Sequence, residues 1–309
     1  MTFKNEILEK YQVRKSKKQK EKFREYIKEK AAQLKYDNVK IESGGCVVKN
    51  NNIIIGDPDN AELFLTAHYD TCALSPVPNM MFPINIFSFI SYQLFVLLYF
   101  LFFGFIIMLA TAFIFPGSNI LLVFDLFILL MAFQMMFGFA NKHTANDNTS
   151  GVLTLLNIME KMPEEKRNKV CFVFFDNEEK GMFGSRLFLK NHKKYIDEKL
   201  LINFDCIGEG DNLLFAAKKS AFDNVIFKKL IANNEKVNFD KKIIFVKVKS
   251  LLFPSDQALF KTSVGVAALK KSKVLGLYAS KIHTLKDKTC DEANINVLTT
   301  MMIECIKEI

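Results

Sequence analysis

One stretch dominates the pattern of apolar positions: in residues 71–141 the only charged side chain is Asp125. Turn-forming residues at 116–119 divide this stretch. Two uncharged segments, 84–115 and 119–139, lie on either side of the turn and contain 32 and 21 residues. Since about 20 apolar residues cross the hydrocarbon core of a bilayer as a helix, the pattern predicts two transmembrane helices.

We expect the two helices to form a hairpin, inserted at 80–143. Its first helix is longer than one upright span needs, so it should tilt or begin in the interface near 83–91. A hairpin buried in the protein core is the alternative, but two uncharged segments of this length would overfill a domain of this size. The lipid bilayer is therefore the expected partner of residues 84–139.

Outside the hairpin, short apolar runs alternate with amphipathic segments. Runs at 63–67, 170–175 and 200–204 are apolar at nearly every position, which is typical of strands buried on both faces. Segments at 151–159 and 293–307 have the apolar spacing of helices. This alternation predicts an α/β fold, with a mostly parallel central sheet and helices on both faces.

The same pattern predicts a single domain built from two parts of the chain. Residues 1–79 and 144–309 together contain roughly 250 residues, which suits one large domain. Residues 1–36 form its helical N-terminal part, and the hairpin at 80–143 interrupts it. The N-terminus has no apolar core of the kind that a cleaved secretory signal carries, so no such signal is expected.

Charge and cysteine content narrow the choice of partners. The net charge is +9, but the lysines are spread along the chain and not clustered with aromatic residues, which argues against nucleic acid and favours attraction to anionic lipid. The basic run at 14–20 is predicted to be a solvated helix face, with membrane-surface contact as the alternative. None of the six cysteines forms a C-x-x-C pair, so they are expected to be reduced thiols in a cytosolic domain.

Side chains that bind hard metal ions follow several of the predicted strands or precede a predicted helix. They are His68, Asp70, Asp147, Glu178, Glu179, Asp205 and His283. Ligands gather at the carboxyl ends of strands in α/β sheets, so these groups should converge on one crevice. Two histidines with several carboxylates suit two divalent ions of the zinc class, one carboxylate bridging them. In the Glu178-Glu179 pair, one side chain can bind metal while the other takes a proton from water.

These residues resemble the zinc peptidase family of bacterial leucyl-type aminopeptidases, which also contains glutamate carboxypeptidases and glutaminyl cyclases. The matching segments are His68-Tyr69-Asp70, residues 145–151, residues 174–181 with Gly184-Ser185, residues 203–205, Ser255-Asp256, and His283-Thr284 with Asp287. The resemblance implies a fold like that of zinc exopeptidases. In typical relatives a short loop joins the first two segments, whereas here the hairpin occupies that position.

The resemblance also implies a ligand set for two zinc ions, in sites that accept other divalent metals as well. His68, Asp147 and Asp205 would hold one ion. Asp147, Glu179 and His283 would hold the other, with Asp147 as the bridge.

Two further residues receive roles through the resemblance. Glu178 would be the catalytic general base and acid, and Asp70 the carboxylate that orients His68, since a metal-bound histidine normally needs such a partner.

The expected protein is a membrane-anchored co-catalytic zinc metallopeptidase that hydrolyses peptide bonds with a metal-activated water, most simply an aminopeptidase. One alternative is a glutaminyl-cyclase-like acyltransferase, which would need one zinc ion. The other is a catalytically silent membrane receptor or scaffold on the same fold, which the complete ligand set disfavours.

Two spans place both hairpin ends, and so the whole catalytic domain, on one side of the membrane. We expect the cytoplasmic side, because the residues before the hairpin carry many Lys and Arg, whereas the turn at 116–119 has none. The expected partner is a peptide substrate. Apolar or membrane-bound peptides would fit a hairpin that guides substrate, and ordinary cytosolic peptides would fit a hairpin that is only an anchor.

Overall fold

The computed structural model describes residues 2–46, 48–77, 79–236, 240–248 and 252–309. The helices are α1 (Phe3–Lys10), α2 (Lys17–Gln33), α3 (Ile86–Ile114), α4 (Ile120–Phe137), α5 (Ser150–Lys161), α6 (Phe183–Ile196), α7 (Lys219–Asp223), α8 (Val225–Lys236) and α9 (Glu292–Lys307). The strands are β1 (Val39–Gly44), β2 (Asn50–Ile55), β3 (Leu63–His68), β4 (Asn79–Met81), β5 (Val170–Phe175), β6 (Leu200–Phe204), β7 (Asn212–Ala217), β8 (Lys242–Lys247), β9 (Ser263–Ser272) and β10 (Gly276–Ile282).

The strands form one sheet in the order β1-β2-β5-β3-β6-β9-β10-β4, with β7 and β8 branching from β9. Its centre, β5-β3-β6-β9, is parallel. Antiparallel pairs flank this centre. On one side β2 pairs with both β1 and β5, and on the other side β9 pairs with both β10 and β7. The prediction of an α/β fold with a mostly parallel centre is therefore confirmed, and the flanks make the whole sheet mixed.

Strand β5 shows how helices cover both faces of the sheet. All of its residues are buried. Phe172 and Phe174 point into the larger core, which contains residues of α1, α2, α5, α8 and α9. Val173 and Phe175 point into the opposite core, together with Phe188 of α6. Successive side chains of a strand face opposite ways, and a run without polar positions is stable only because both faces are covered.

Helices α3 and α4 extend away from the sheet as long apolar helices. Both are long and apolar enough to cross a membrane, and only 6% and 0% of their most apolar windows are buried. A core helix of a soluble domain would be mostly buried. With 29 residues, α3 is about 44 Å long and exceeds the ~30 Å hydrocarbon core, as the sequence predicted.

Close packing joins the two helices at Gly104. A Cβ atom there would lie 2.5 Å from a ring carbon of Phe124. Small residues allow such close approach between helices in lipid.

The hairpin is fixed to the α/β domain by hydrogen bonds at both of its ends. Asn85 and Ser88 donate to the carbonyl of Leu275 at 3.1 Å. Near the end of α4, Gln134 donates to the carbonyl of Leu74, also at 3.1 Å. Strand β4, just before α3, pairs with β10. The hairpin is therefore part of the domain's hydrogen-bonded structure.

Candidate metal centre

The metal-binding side chains predicted from the sequence meet at the carboxyl edge of the parallel strands. They are His68 at the end of β3, Asp147 before α5, Glu178 and Glu179 in the turn after β5, Asp205 after β6, and His283 after β10. Strand β9 continues past the end of β6, and β10 returns antiparallel to it. This return brings His283, with a left-handed φ of 58°, to the same edge.

The carboxylate of Asp147 lies between the two histidines. Its Oδ1 is 3.2 Å from Nε2 of His68, and its Oδ2 is 3.0 Å from Nε2 of His283. Each histidine has a second carboxylate nearby: Oδ1 of Asp205 is 3.7 Å from His68, and Oε2 of Glu179 is 3.0 Å from His283. The five groups therefore form two overlapping sets of three that share Asp147.

The donor set and its spacing fit two zinc ions. Ligand atoms about 2.0–2.1 Å from one tetrahedral ion lie roughly 3.3 Å apart, and the distances above run from 3.0 to 3.7 Å. Within the described residues, Oε1 of Glu179 and Oδ1 of Asp205 are buried without a hydrogen-bond partner. Because an unpaired buried carboxylate oxygen is costly, both atoms favour a cation at this position.

Burial and charge shift the pKa values of the two histidines in the same direction. Burial alone would lower the pKa of His68, but the nearby carboxylates of Asp147, Asp205 and Asp70 outweigh it and raise that pKa well above its usual value. Burial is likewise outweighed at His283, where Glu179 is the largest of the groups that raise the pKa. The carboxylates around the two histidines therefore strongly favour a positive charge at this position.

Asp70 holds two parts of the centre together. Nδ1 of His68 donates to the backbone carbonyl of Asp70 at 3.1 Å, and the Asp70 carboxylate lies 3.7 Å from the same nitrogen. That carboxylate also accepts from the backbone N–H groups of Glu178 and Glu179, at 3.0 and 3.3 Å. Besides lying close to His68, Asp70 fixes the turn that carries both glutamates.

Asp287 performs a similar task for Asp147, a task that the sequence did not reveal. Its two carboxylate oxygens accept from the backbone N–H groups of Asn146 and Asp147, at 2.7 and 3.0 Å. Burial, with the charge of Asp147, raises the pKa of Asp287 to about 8. The only sequence signal for this residue was its place in the matching segment around His283.

Two residues of the basic run at 14–20, Arg14 and Lys20, are buried next to the candidate metal centre. The prediction of a solvated face is therefore wrong for them. Arg14 is fully buried and donates to the carbonyl of Tyr69 and, at 3.1 Å, to Oγ1 of Thr149. Lys20 is 6% exposed and donates to the carboxylate of Asp176 at 2.6 Å, just before the glutamate turn. The helical spacing of apolar residues does not show which Lys or Arg side chains are buried against an acidic site.

Glu178 faces the cavity above the five ligands and is not within ion-pair distance of either histidine. Burial raises its pKa well above the usual value, and the neighbouring carboxylates of Asp256, Glu179 and Asp205 add to this effect against the opposing charge of His68. Such a pKa suits a carboxylate that accepts a proton and later returns it.

The cavity above the centre has a volume of about 350 Å³ and is bounded on one side by the hairpin. Its apolar wall includes Met80, Phe82, Met182 and Phe253, with Phe89 and Tyr92 from α3. The sequence predicted a hairpin near the site, but not that its first helix forms part of the cavity wall. The polar residues Ser88, Ser91, Tyr92 and Gln93, clustered near the start of the uncharged segment 84–115, were the available signal.

Comparisons with known proteins found one matching family model and several similar folds. A sequence model described as Peptidase family M28 matches residues 132–305. The LapA aminopeptidase of Legionella pneumophila has a TM-score of 0.55 at 13% identity, over 99% of this chain and 69% of that chain. A glutaminyl cyclase of Macrostomum lignano has a TM-score of 0.55 at 14% identity, over 99% and 88%.

A second glutaminyl cyclase, from Fimbriiglobus ruber, has a TM-score of 0.51 at 15% identity, over 99% of this chain and 96% of that chain. A comparison with curated proteins finds no match. At these identities, the likenesses to solved structures show a shared fold.

Proposed function

This chain belongs to peptidase family M28, and from that premise we propose that it is a membrane-anchored aminopeptidase with two catalytic zinc ions. The Asp147 carboxylate is the main support, because it turns one oxygen towards His68 and the other towards His283. A carboxylate between two histidines, each with a further carboxylate beside it, would suit a pair of divalent ions.

His68, Asp147 and Asp205 would hold one ion, and Asp147, Glu179 and His283 the other. When bound, the two ions would polarise the scissile carbonyl and make a water molecule reactive at neutral pH. The same oxygen and nitrogen donors would also accept other divalent metals. Asp70 and Asp287 orient these ligands through the hydrogen bonds that they accept from backbone N–H groups.

Glu178 is the proposed general base and acid. Its carboxylate takes the proton of the attacking water and gives it to the departing amine. Its position supports this role, because Glu178 lines the cavity together with the proposed ligands Asp147, Glu179 and Asp205.

The size of the cavity supports cleavage at the end of a peptide. At about 350 Å³ it lies near the lower end of the range for ligand sites, about 300–1,000 Å³. Such a volume takes a terminal residue and its neighbour more readily than the middle of a chain. The apolar wall favours a large apolar side chain at that end.

Residues 80–143 form the proposed membrane hairpin, and residues 1–79 with 144–309 the peptidase domain. The exposed apolar surfaces of α3 and α4 support a bilayer around them. The proposed cytoplasmic location of the domain is supported by the many Lys and Arg residues before the hairpin and the uncharged turn between its helices. Since α3 also lines the cavity, the proposed substrates are peptides with an apolar or membrane-bound N-terminal part.

Digestion of a peptide library by detergent-purified protein tests this function. Stepwise loss of N-terminal residues, with about two zinc equivalents per chain, is the expected result. Asp147→Asn should lose both ions and the activity, because it removes the bridge. Full activity and full metal content in Asp147→Asn would contradict the ligand assignment.

Glutaminyl-cyclase-like acyl transfer is the second candidate, since two glutaminyl cyclases share the fold. Such a transferase would need one zinc ion, whereas in this structure the ligand sets for two ions lie close together. A peptide with N-terminal Gln separates the two reactions: hydrolysis releases free Gln, and cyclisation leaves a peptide of the same length that has lost ammonia. If the purified protein binds no metal, the result would instead support the catalytically silent receptor or scaffold.

A further inference from the structure

We propose that Cys72 is a fourth protein ligand of the ion held by Asp147, Glu179 and His283. This inference rests on the proposed two-metal function and adds to it a thiolate that neither the sequence motifs nor the family resemblance assigned. It makes the two metal sites chemically different, because the other ion would have His68 and carboxylates around it.

The side chain of Cys72 lies beside two of the proposed ligands. Its Sγ, a ring nitrogen of His283 and a carboxylate oxygen of Glu179 all lie within 4.8 Å of one another. Cys72 is 1% exposed, and the Glu179 side chain is 8% exposed. Oε1 of Glu179 has no hydrogen-bond partner among the described residues. A buried thiol beside a histidine and an unpaired carboxylate oxygen is a zinc-type donor set.

The backbone holds Cys72 and His283 together. The backbone N–H of Asn141 donates to the carbonyl of Cys72 at 3.2 Å, and its side-chain amide donates to the carbonyl of Thr284 at 2.9 Å. The N–H of Ser75 donates to the carbonyl of His283 at 2.8 Å. Asn141 is fully buried. These bonds fix the loop after β3 to the loop after β10, so the thiol is positioned by the fold itself.

Cys206 is the competing thiol, because its Sγ lies within 4.8 Å of ligand atoms of Asp147 and Asp205. It directly follows Asp205 and lines the substrate cavity. Cys72, in contrast, lies beside a histidine as well as a carboxylate, a mixed donor set typical of zinc sites, whereas Cys206 lies beside carboxylates only. We therefore assign Cys72 as the ligand and use Cys206 as the comparison.

A thiolate ligand has a consequence for metal choice. Sulfur donors favour zinc and cobalt over magnesium and manganese, which prefer oxygen. The ion beside Cys72 should therefore be the more tightly held zinc, and manganese should replace it poorly. Removing the Cys72 thiol should reduce the preference of this site for zinc over manganese.

Cobalt substitution tests the assignment without relying on activity. The metal-free protein is loaded with Co²⁺, and its absorption spectrum is recorded. We expect visible bands from bound cobalt and a near-ultraviolet charge-transfer band from thiolate to cobalt. Cys72→Ala should lose the charge-transfer band and keep the visible bands, whereas Cys206→Ala and the buried but distant Cys171→Ala should keep both.

Each outcome separates this inference from the proposed function. Visible bands without a charge-transfer band in the unaltered protein would overturn the role of Cys72 and leave the two-metal site standing. A band that persists in Cys72→Ala and disappears in Cys206→Ala would assign the thiolate to Cys206. Absence of cobalt binding would overturn the metal site itself.

Zinc titration with a competing chelator gives a second readout. Cys72→Ala should weaken the binding of one zinc equivalent by at least about tenfold and leave the other unchanged. Equal affinities in the variant and the unaltered protein would contradict the proposal. Circular dichroism of each variant checks that the fold is kept.

Discussion

At the scale of single residues, adjacent glutamates have different surroundings. Glu179 lies 3.0 Å from His283, while Glu178 faces the cavity and has a strongly raised pKa. Asp70 holds the backbone of both. Two neighbouring carboxylates can therefore take separate tasks, because the turn directs one towards the ligands and the other towards the substrate.

This difference predicts opposite phenotypes for two conservative changes. Glu178→Gln should keep both metal equivalents and lose about 10²–10⁴-fold in kcat, since only the proton carrier is removed. Glu179→Gln should instead weaken metal binding. Metal analysis and steady-state kinetics on the two variants measure this, and reversed phenotypes would mean that the two roles are exchanged.

The buried pair of Lys20 and Asp176 predicts an effect on stability. Lys20→Met leaves the Asp176 carboxylate buried without its cation and should lower the free energy of unfolding by about 3–5 kcal/mol. The double variant Lys20→Met with Asp176→Asn should recover most of this loss, because it removes the unpaired charge. Thermal unfolding in detergent measures both.

Lys28→Met on the same helix is the matched control. Lys28 pairs with Glu25 at the surface, so the change should cost at most about 0.5 kcal/mol. A similar loss of stability for Lys20→Met and Lys28→Met would contradict the importance of burial at Lys20.

At the scale of elements, the two ends of α3 have different surroundings. Its first turns pack on the domain and line the cavity through Phe89 and Tyr92, whereas its far end carries side chains as exposed as Phe113, at 88%. The same helix therefore belongs to the active site at one end and to the expected bilayer at the other.

A pair of alanine substitutions in α3 tests this division. Phe89→Ala should lower kcat/KM for peptides with a large apolar N-terminal residue by at least about tenfold, because part of the cavity wall is lost. It should have little effect on peptides that begin with Ala. Phe113→Ala should change neither value, and equal effects of the two substitutions would count against a role of α3 in substrate selection.

At the scale of the whole molecule, the hairpin and the domain share one hydrogen-bonded framework. The carbonyl of Leu275 accepts from the start of α3, and that of Leu74 from the end of α4. In the proposed membrane-anchored protein, attachment at both ends would restrict how the domain tilts on the bilayer. The cavity wall provided by α3 should therefore stay close to the membrane surface.

Cysteine labelling in cells tests the proposed topology. Gly117→Cys, placed in the hairpin turn of a Cys46→Ser background, should react with a membrane-impermeant maleimide in intact cells. The exposed Cys46 of the unaltered chain should react only after permeabilisation, since the domain is expected in the cytoplasm. The reverse pattern would place the catalytic domain outside.

The fold and the residue types of the centre could be predicted because they depend on local patterns. Apolar runs such as 170–175 predicted buried strands, and the alternation of elements predicted the parallel centre, which is confirmed. The antiparallel partner β1 was not predicted, since half-buried edge strands have no strong pattern. The roles of the ligands from His68 to His283 stay predictions, although the structure brings their side chains together.

The sequence by itself determined what the chain contains: an uncharged stretch long enough for two spans, and the acidic and histidine side chains of a zinc-type centre. Only the tertiary structure decided how these are used. It directed the two oxygens of Asp147 to different histidines, buried Lys20 beneath the site, made α3 a wall of the cavity and placed Cys72 beside His283. The physical reason is that periodicity and composition describe neighbours along the chain, whereas these contacts join residues far apart in sequence, and only packing of the whole fold brings them together.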